Sequence, residues 1–234
     1  MSLALVTGAS SGIGLEISKM LLKNNFVVYG ISRNKPNLDS IQHIPMNLLE
    51  ISKLSRELEE LVKKLKEIKV LVHCAGLGLF GLHEELNFLK LEEMLYLNFS
   101  VPILLTRLFL RNLKRNQGWV VFISSTTASR ASSLASAYSA TKAGLSHFSL
   151  SLWEETRKSG LRVVCLEPDI TNSNFYRETW FEPDSNVEAY LEPKEIAEIL
   201  ENILHKRSSI NILNVKIQPK FHRIKKKERK YEDY

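Results

Sequence analysis

Cysteine is scarce: only Cys74 and Cys165 occur among 234 residues. Two thiols cannot build a disulfide scaffold. Each ends an apolar run, so both read as reduced cysteines of a cytoplasmic protein rather than a catalytic thiol or a metal pair. The six histidines show no His-x-His or His-x-x-x-His spacing, and no metal site is expected. Long apolar runs are missing too. The longest, residues 95–110, is broken by Asn98, Ser100, Pro102, Thr106 and Arg107. It falls short of the ~20 apolar residues that a bilayer crossing needs, so no membrane span is expected. The opening Met1-Ser2-Leu3-Ala4-Leu5-Val6 has no basic region and runs straight into Thr7-Gly8, unlike a signal peptide. No internal repeat or low-complexity linker divides the chain. What is present is ordinary for a soluble domain, with 44% hydrophobic and 25% charged residues. The length fits one domain, at roughly 100–200 residues each.

The net charge of +6 is unevenly placed. Residues 215–234 hold eight Lys or Arg against three Asp or Glu, so the body is nearly neutral and the basicity is a tail. Such a tail can bind nucleic acid or an anionic membrane. The plainer reading is a solvated, frayed terminus, and no nucleic-acid partner is expected.

Strand and helix patterns alternate. Short apolar runs at residues 3–7, 26–31, 41–46, 70–74, 119–123, 161–166 and 210–217 read as strands. Helical periodicity appears at residues 13–22, 54–65, 88–114, 136–158 and 193–204, the fourth closed by Gly160 and the last opened by Pro193. Near-continuous apolar strands alternating with helices predict an α/β, doubly wound parallel seven-stranded Rossmann sheet with helices on both faces. Residues 169–187 break the alternation. They are rich in Asn, Ser, Glu and aromatics (Phe175, Tyr176, Trp180, Phe181), and a loop of this length in a compact domain is usually functional.

Between the first strand and first helix lies Thr7-Gly8-Ala9-Ser10-Ser11-Gly12-Ile13-Gly14. Glycines let the backbone approach a pyrophosphate, and the helix N-terminus supplies free N–H groups. The loop residues Gly8, Ser10, Ser11, Gly12, Ile13 and Gly14 are candidate cofactor contacts. A domain selective for NAD places a carboxylate at the end of the second strand. Here Ser32 is followed by Arg33, whose guanidinium suits a ribose 2′-phosphate. NADP(H) is therefore the expected cofactor, with NAD(H) possible.

A second constellation follows the fifth strand: Ser124-Ser125, then Tyr138-Ser139-Ala140-Thr141-Lys142. Tyr138 and Lys142 are i and i+4, so a helix puts both on one face. An ammonium beside a phenol should make it easier to ionise than its usual value of about 10. Such a tyrosine can give a proton to a carbonyl oxygen or take one from an alcohol.

With the glycine loop, the thirteen-residue step from Ser125 to Tyr138 and Tyr138-x-x-x-Lys142, the chain resembles the short-chain dehydrogenase/reductase family of small, single-domain type, over about residues 3–217. The resemblance implies that Tyr138 is the general acid/base and that Lys142 tunes it and binds the nicotinamide ribose. It implies that Ser125 rather than Ser124 polarises the substrate carbonyl, and that Asn98 supports a water and proton relay to the lysine. It places Asn47 and Leu48 by the adenine, Cys74, Ala75 and Gly76 along the cofactor, and Pro168, Asp169, Ile170 and Ser173 beside the nicotinamide and phosphates. Residues 1–217 then form a single NAD(P)-binding domain containing a substrate loop at 169–187, with 218–234 as a basic tail. A homodimer or homotetramer is implied, through helices carrying Leu104, Leu105, Leu108 and Phe109 and Phe148, Leu150 and Leu152.

Three positions depart from the family pattern. His73-Cys74-Ala75-Gly76 stands where Asn-Asn-Ala-Gly is frequent, Asn47 where an acid is frequent, and Pro168-Asp169 where Pro-Gly is usual. The expected function is an NADP(H)-dependent oxidoreductase interconverting a small ketone or aldehyde and an alcohol. Gly78-Leu79-Phe80, Thr126-Thr127 and the aromatic segment 175–181 are expected pocket walls for an apolar or aromatic carbonyl compound. The alternative is a cofactor-sensing regulatory protein with the same fold and little catalysis.

Overall fold

The computed structural model describes residues 1–53 and 55–227. Seven strands form one parallel sheet: β1 Leu3–Thr7, β2 Val27–Ser32, β3 Gln42–Pro45, β4 Ile68–His73, β5 Trp119–Ile123, β6 Arg162–Pro168 and, after a short strand β7 at Phe181–Pro183, β8 Asn214–Ile217. Their order is β3-β2-β1-β4-β5-β6-β8, which reverses direction between β1 and β4. This is the doubly wound Rossmann arrangement, whose ligands bind beyond the strand carboxyl ends at the reversal. A ninth strand, β9 Ile224–Lys226, pairs antiparallel with β7 outside the main sheet.

Both sheet faces are covered, which is why the strands read as unbroken apolar runs. Alternate residues still divide between two cores. Val6, Val72, Val121 and Leu166 pack under helices α1 (Gly12–Lys23) and α6 (Pro193–Leu204), where they meet Ile17, Leu21, Ile196 and Leu200. Leu5, Leu71, Val120, Phe122 and Val163 face the other way. They pack under α2 (Ser55–Lys64), α4 (Val101–Arg115) and α5 (Ser136–Thr156).

The region expected as one helix at 88–114 is α3 (Phe88–Leu95), a π-helical turn at Tyr96–Ser100, and α4. By length and composition alone the continuous helical stretch Phe88–Arg115 could cross a membrane. In the fold, however, its Val101, Leu105, Phe109 and Leu113 are spent on the sheet. The last strand is shorter than expected. Residues 210–213 are outside the ladder, and Leu213 contributes only its carbonyl to Cys165 N–H at 2.7 Å. Leu54, the expected start of the second helix, and residues 228–234 of the tail lie outside the described residues. The described part of the tail is not a solvated end. Through Lys227 it lies on the loop after β6.

Candidate active site

One cleft of about 970 Å³ runs along the carboxyl ends of the strands, from the glycine loop to Tyr138. At its first end, β1 hands over to α1 through a turn in which Gly8 and Gly12 hold φ of +72° and +54°, a region that side chains disfavour. A Cβ on Gly8 would sit 2.9 Å from Ala75 N, and one on Gly14 would sit 2.3 Å from Gly8 O. The glycines thus let the turn fold onto both itself and the segment after β4. Ser11 is the α1 N-cap, in extended backbone, and its hydroxyl caps no first-turn N–H. The helix start therefore keeps donors suited to an anion, which fits a cofactor pyrophosphate. Ser10, Ser11 and Ile13 line the cleft with Gly8 and Gly12, whereas Gly14, expected as a cofactor contact, is not part of the lining and packs against Gly8 instead.

Thr7, at the end of β1, joins the two central strands. Its hydroxyl accepts from Cys74 N–H and Ala75 N–H, each at 3.1 Å. This clamp was not singled out from sequence, where a threonine before a glycine looks like strand filler. Cys74 follows β4 without the amide that the family often has there. Its thiol is pushed up to about 12 by burial and is free, as is Cys165. Before it, His73 is buried against Phe122 with ring centroids 5.0 Å apart, and burial lowers it to about 3. It is a neutral core histidine bonded to Thr106 at 2.9 Å.

At the outer rim Arg33 is exposed and lines the cleft. It makes no ion pair among the described residues. The nearest carboxylate along its loop, Asp39, is taken by Lys35 at 2.8 Å. Asn47 and Leu48 line the same wall. The Asn47 side chain closes its own turn, accepting from Leu49 N–H at 3.3 Å and donating to Glu50 at 3.1 Å.

At the other end the π-helical turn aims Asn98 inward, 1% exposed; such turns recur at functional sites. Its oxygen accepts from Leu77 N–H and its amide donates to Leu77 O, both at 2.8 Å. Its contacts are this clamp on the segment after β4 and Thr141 at 3.4 Å. A Cβ on Gly76 would lie 3.2 Å from Asn98 Oδ1, a tight contact, and 3.8 Å from Lys142 Nζ, an ordinary one.

Helix α5 presents Tyr138 and Lys142 together, with Nζ 5.7 Å from the phenol ring. The ammonium donates to Ile123 O at 2.9 Å, and burial pulls it down to about 8. The phenol does not shift as its lysine neighbour suggested. Burial raises its pKa, the Tyr176 phenol raises it further, and the Ser125 hydroxyl opposes both. The physical reason is enclosure: Phe80 and Phe175 stand over Tyr138 with centroids 5.1 and 6.0 Å away. Ser125 accepts from Thr127 N–H and Oγ1 at 3.2 and 3.1 Å and borders the cleft beside Tyr138. Ser124 turns the other way. It donates to Lys142 O at 2.9 Å and meets Ser146, which reaches the buried Glu167 at 2.9 Å. That network locks α5 to β6 and had no signal in the sequence.

The loop after β6 closes the cleft. Pro168, Asp169, Ile170 and Ser173 all line it. Ser173 Cβ lies 3.2 Å from where a Gly12 Cβ would be, so this loop reaches across to the glycine turn. Trp180 and Phe181, expected as pocket walls, line the cleft and pack on each other at 4.9 Å, outside both sheet cores.

Known proteins identify the family. The profile of the short chain dehydrogenases matches residues 2–183. A probable short-chain type dehydrogenase/reductase of Helicobacter pylori is 31% identical over 78% of this chain and 69% of its own. A probable NADP-dependent dehydrogenase of Haemophilus influenzae is 27% identical over 92% of each. Among solved structures, an alcohol dehydrogenase from Thermococcus sibiricus complexed with 5-hydroxy-NADP superposes with a TM-score of 0.82 at 24% identity, covering 95% of this chain and 98% of that one. With a profile match across most of the chain and the Rossmann strand order in place, the protein belongs to the short-chain dehydrogenase family of oxidoreductases.

Proposed function

We propose that the protein is an NADP(H)-preferring reductase of ketones or aldehydes. The observation that carries this reading is that Ser125, Tyr138 and Lys142 stand at one end of the cleft whose other end is the glycine turn. A bound nicotinamide supplies the hydride. Tyr138 donates the proton to the carbonyl oxygen, and Ser125 holds that oxygen as negative charge develops. Burial raises the phenol's pKa, so Tyr138 carries the proton that donation to a carbonyl oxygen needs. Lys142 orients the nicotinamide ribose, and Asn98 keeps the Gly76–Leu77 backbone against it. Arg33, exposed on the rim and in no ion pair among the described residues, favours a 2′-phosphate; NAD(H) is the poorer cofactor.

Assembly as a homodimer or homotetramer through α4 and α5 accompanies this reading. Leu105, Phe109 and Leu152 are consumed by the protein's own core, whereas Phe99 and Leu104 remain 37% and 40% exposed and are the residues available to a second copy. A cytoplasmic setting is proposed on the reduced thiols.

The test follows the loss of reduced-nicotinamide absorbance with NADPH or NADH and a panel of ketones, aldehydes and quinones. NADPH-dependent turnover abolished in Tyr138→Phe is expected. Tight NADPH binding without turnover of any carbonyl would instead favour a cofactor sensor.

A further inference from the structure

The segment after β8 does not leave the domain. Phe221 N–H donates to Glu188 O at 3.0 Å. β9 then pairs with β7, matching Phe181 to Lys226 and Pro183 to Ile224. Lys227 N–H donates to Trp180 O at 2.9 Å, and its ammonium caps the carbonyls of Tyr176 and Arg177. Charge explains the attraction. Residues 169–192 hold six carboxylates against Arg177 alone, and three of them, Asp169, Glu182 and Glu188, meet the basic segment. Lys220 meets Glu188 at 2.9 Å and Lys225 meets Glu182 at 3.5 Å. These exposed pairs are individually weak and guide the approach rather than hold it.

Beneath them a buried carboxylate meets the half-exposed His222 and forms a polar latch. The Asp169 side chain, where the family usually has glycine, is 6% exposed. Its Oδ1 accepts from Ile170 N–H at 2.9 Å and from His222 Nδ1 at 3.1 Å, and its Oδ2 accepts from Gln218 Nε2 at 3.3 Å. His222 Nε2 in turn accepts from Arg130 Nη2 at 3.2 Å, which assigns the Nδ1–H tautomer. One carboxylate thus ties together the end of β6, the C-terminal segment and the loop on the far side of the cleft. Buried carboxylates of this kind persist only when fully bonded.

The latch reaches the chemistry through aromatic rings. β7 carries Phe181, whose ring lies 5.1 Å from Phe80, and Phe80 lies 5.1 Å from Tyr138. His222 and Ile224 themselves line the cleft. We propose that residues 218–227 form a third wall of the substrate site and select among carbonyl compounds with a flat apolar body. Ile224 limits their size, and Asp169 and His222 are positioning residues that hold the aromatic wall over Tyr138. This rests on the reductase reading above.

Two independent readouts test it on the full chain. The first is cutting by a glutamate-specific protease after Glu178, since Pro183 blocks cutting after Glu182 and residues 218–227 contain no acidic residue. His222→Ala, Asp169→Gly and a chain ending at Pro219 should each be cut about tenfold faster than wild type, as expected when a local opening loses a hydrogen bond to a buried carboxylate. His222→Asn, which keeps a donor at the Nδ1 position, should resist like wild type. The second readout is NADPH-dependent reduction of benzil and of acetophenone. His222→Ala should raise KM for benzil about tenfold with kcat within about threefold, and His222→Asn should restore it. Ile224→Ala should shift the benzil-to-acetophenone ratio of kcat/KM about tenfold toward benzil. Unchanged protease rates in all variants would overturn the latch. Unchanged KM values and an unchanged ratio would overturn the substrate wall. Absent turnover in wild type with intact NADPH binding would overturn the reductase reading and the wall with it, leaving the latch to be judged by the protease alone.

Discussion

At the glycine-turn end of the cleft, the backbone donors for an anion lie within a few residues of one another along the chain, on a turn and a helix start, although Ala75 and Ser173 back the turn from elsewhere. At the Tyr138 end, contacts join residues far apart in sequence: Asn98 to Leu77, Lys142 to Ile123, His222 to Asp169. The first end is backbone shaped by glycine, and its chemistry is a set of N–H donors. The second is side chains held by other side chains, enclosed by rings that shift a phenol and an ammonium away from their usual values. A site that grips phosphates can be built locally. A site that moves a proton needs burial, and burial is a property of the assembled fold.

Substitutions that damage one end and spare the other sharpen this contrast. The largest effect is expected for Tyr138→Phe, which removes the proton donor. Its kcat should fall about 10²- to 10⁴-fold while NADPH binding, measured by fluorescence titration, stays near wild type. Comparable loss of NADPH affinity would break the separation of the two ends. Arg33→Ala should do the reverse. Losing a charge-assisted contact worth about 1.5–3 kcal/mol, it should raise KM for NADPH about 10- to 100-fold, leave KM for NADH alone, and leave kcat at saturating NADPH intact. Retained NADPH preference would remove Arg33 from the site.

Asn98→Ala should cost about 1–3 kcal/mol in denaturant unfolding, because Leu77 N–H and C=O both lose their partner. An effect near zero would mean that the clamp is dispensable. The smallest effect is a pH dependence. Lys142 is lowered from its ordinary 10.5 to about 8 by burial. Below pH 8 the full cost of burying the ammonium is present. As pH rises from 8 towards 10.5 the folded protein sheds that proton before the unfolded chain does, so stability rises. Wild type should therefore gain thermal stability relative to Lys142→Met across that interval. Parallel curves would show that the ammonium is not so buried.

Much of this was legible beforehand. The strand–helix alternation gave the Rossmann class because period-2 and period-3.6 patterns are local. The Tyr138-x-x-x-Lys142 spacing was legible because α5 is a regular helix. The phenol's direction of shift is not legible locally, because Lys142 is its neighbour along the helix whereas the enclosing rings of Phe80 and Phe175 are remote in sequence. The basic tail read as solvated because its acidic counterpart at residues 169–192 is remote from β9 in sequence, and only the chain's path past β8 brings the two together.

By itself, then, the sequence determined the parallel sheet, the glycine turn and the pairing of Tyr138 with Lys142 on one helix face. Each of these depends on residues within one or two elements. The tertiary structure alone decided the enclosure of that tyrosine, the Asn98 and Thr7 clamps, the Ser124–Ser146–Glu167 network and the seat of the C-terminal segment on the substrate loop. Desolvation and long-range hydrogen bonds depend on what the folded chain brings alongside, and no local pattern encodes that.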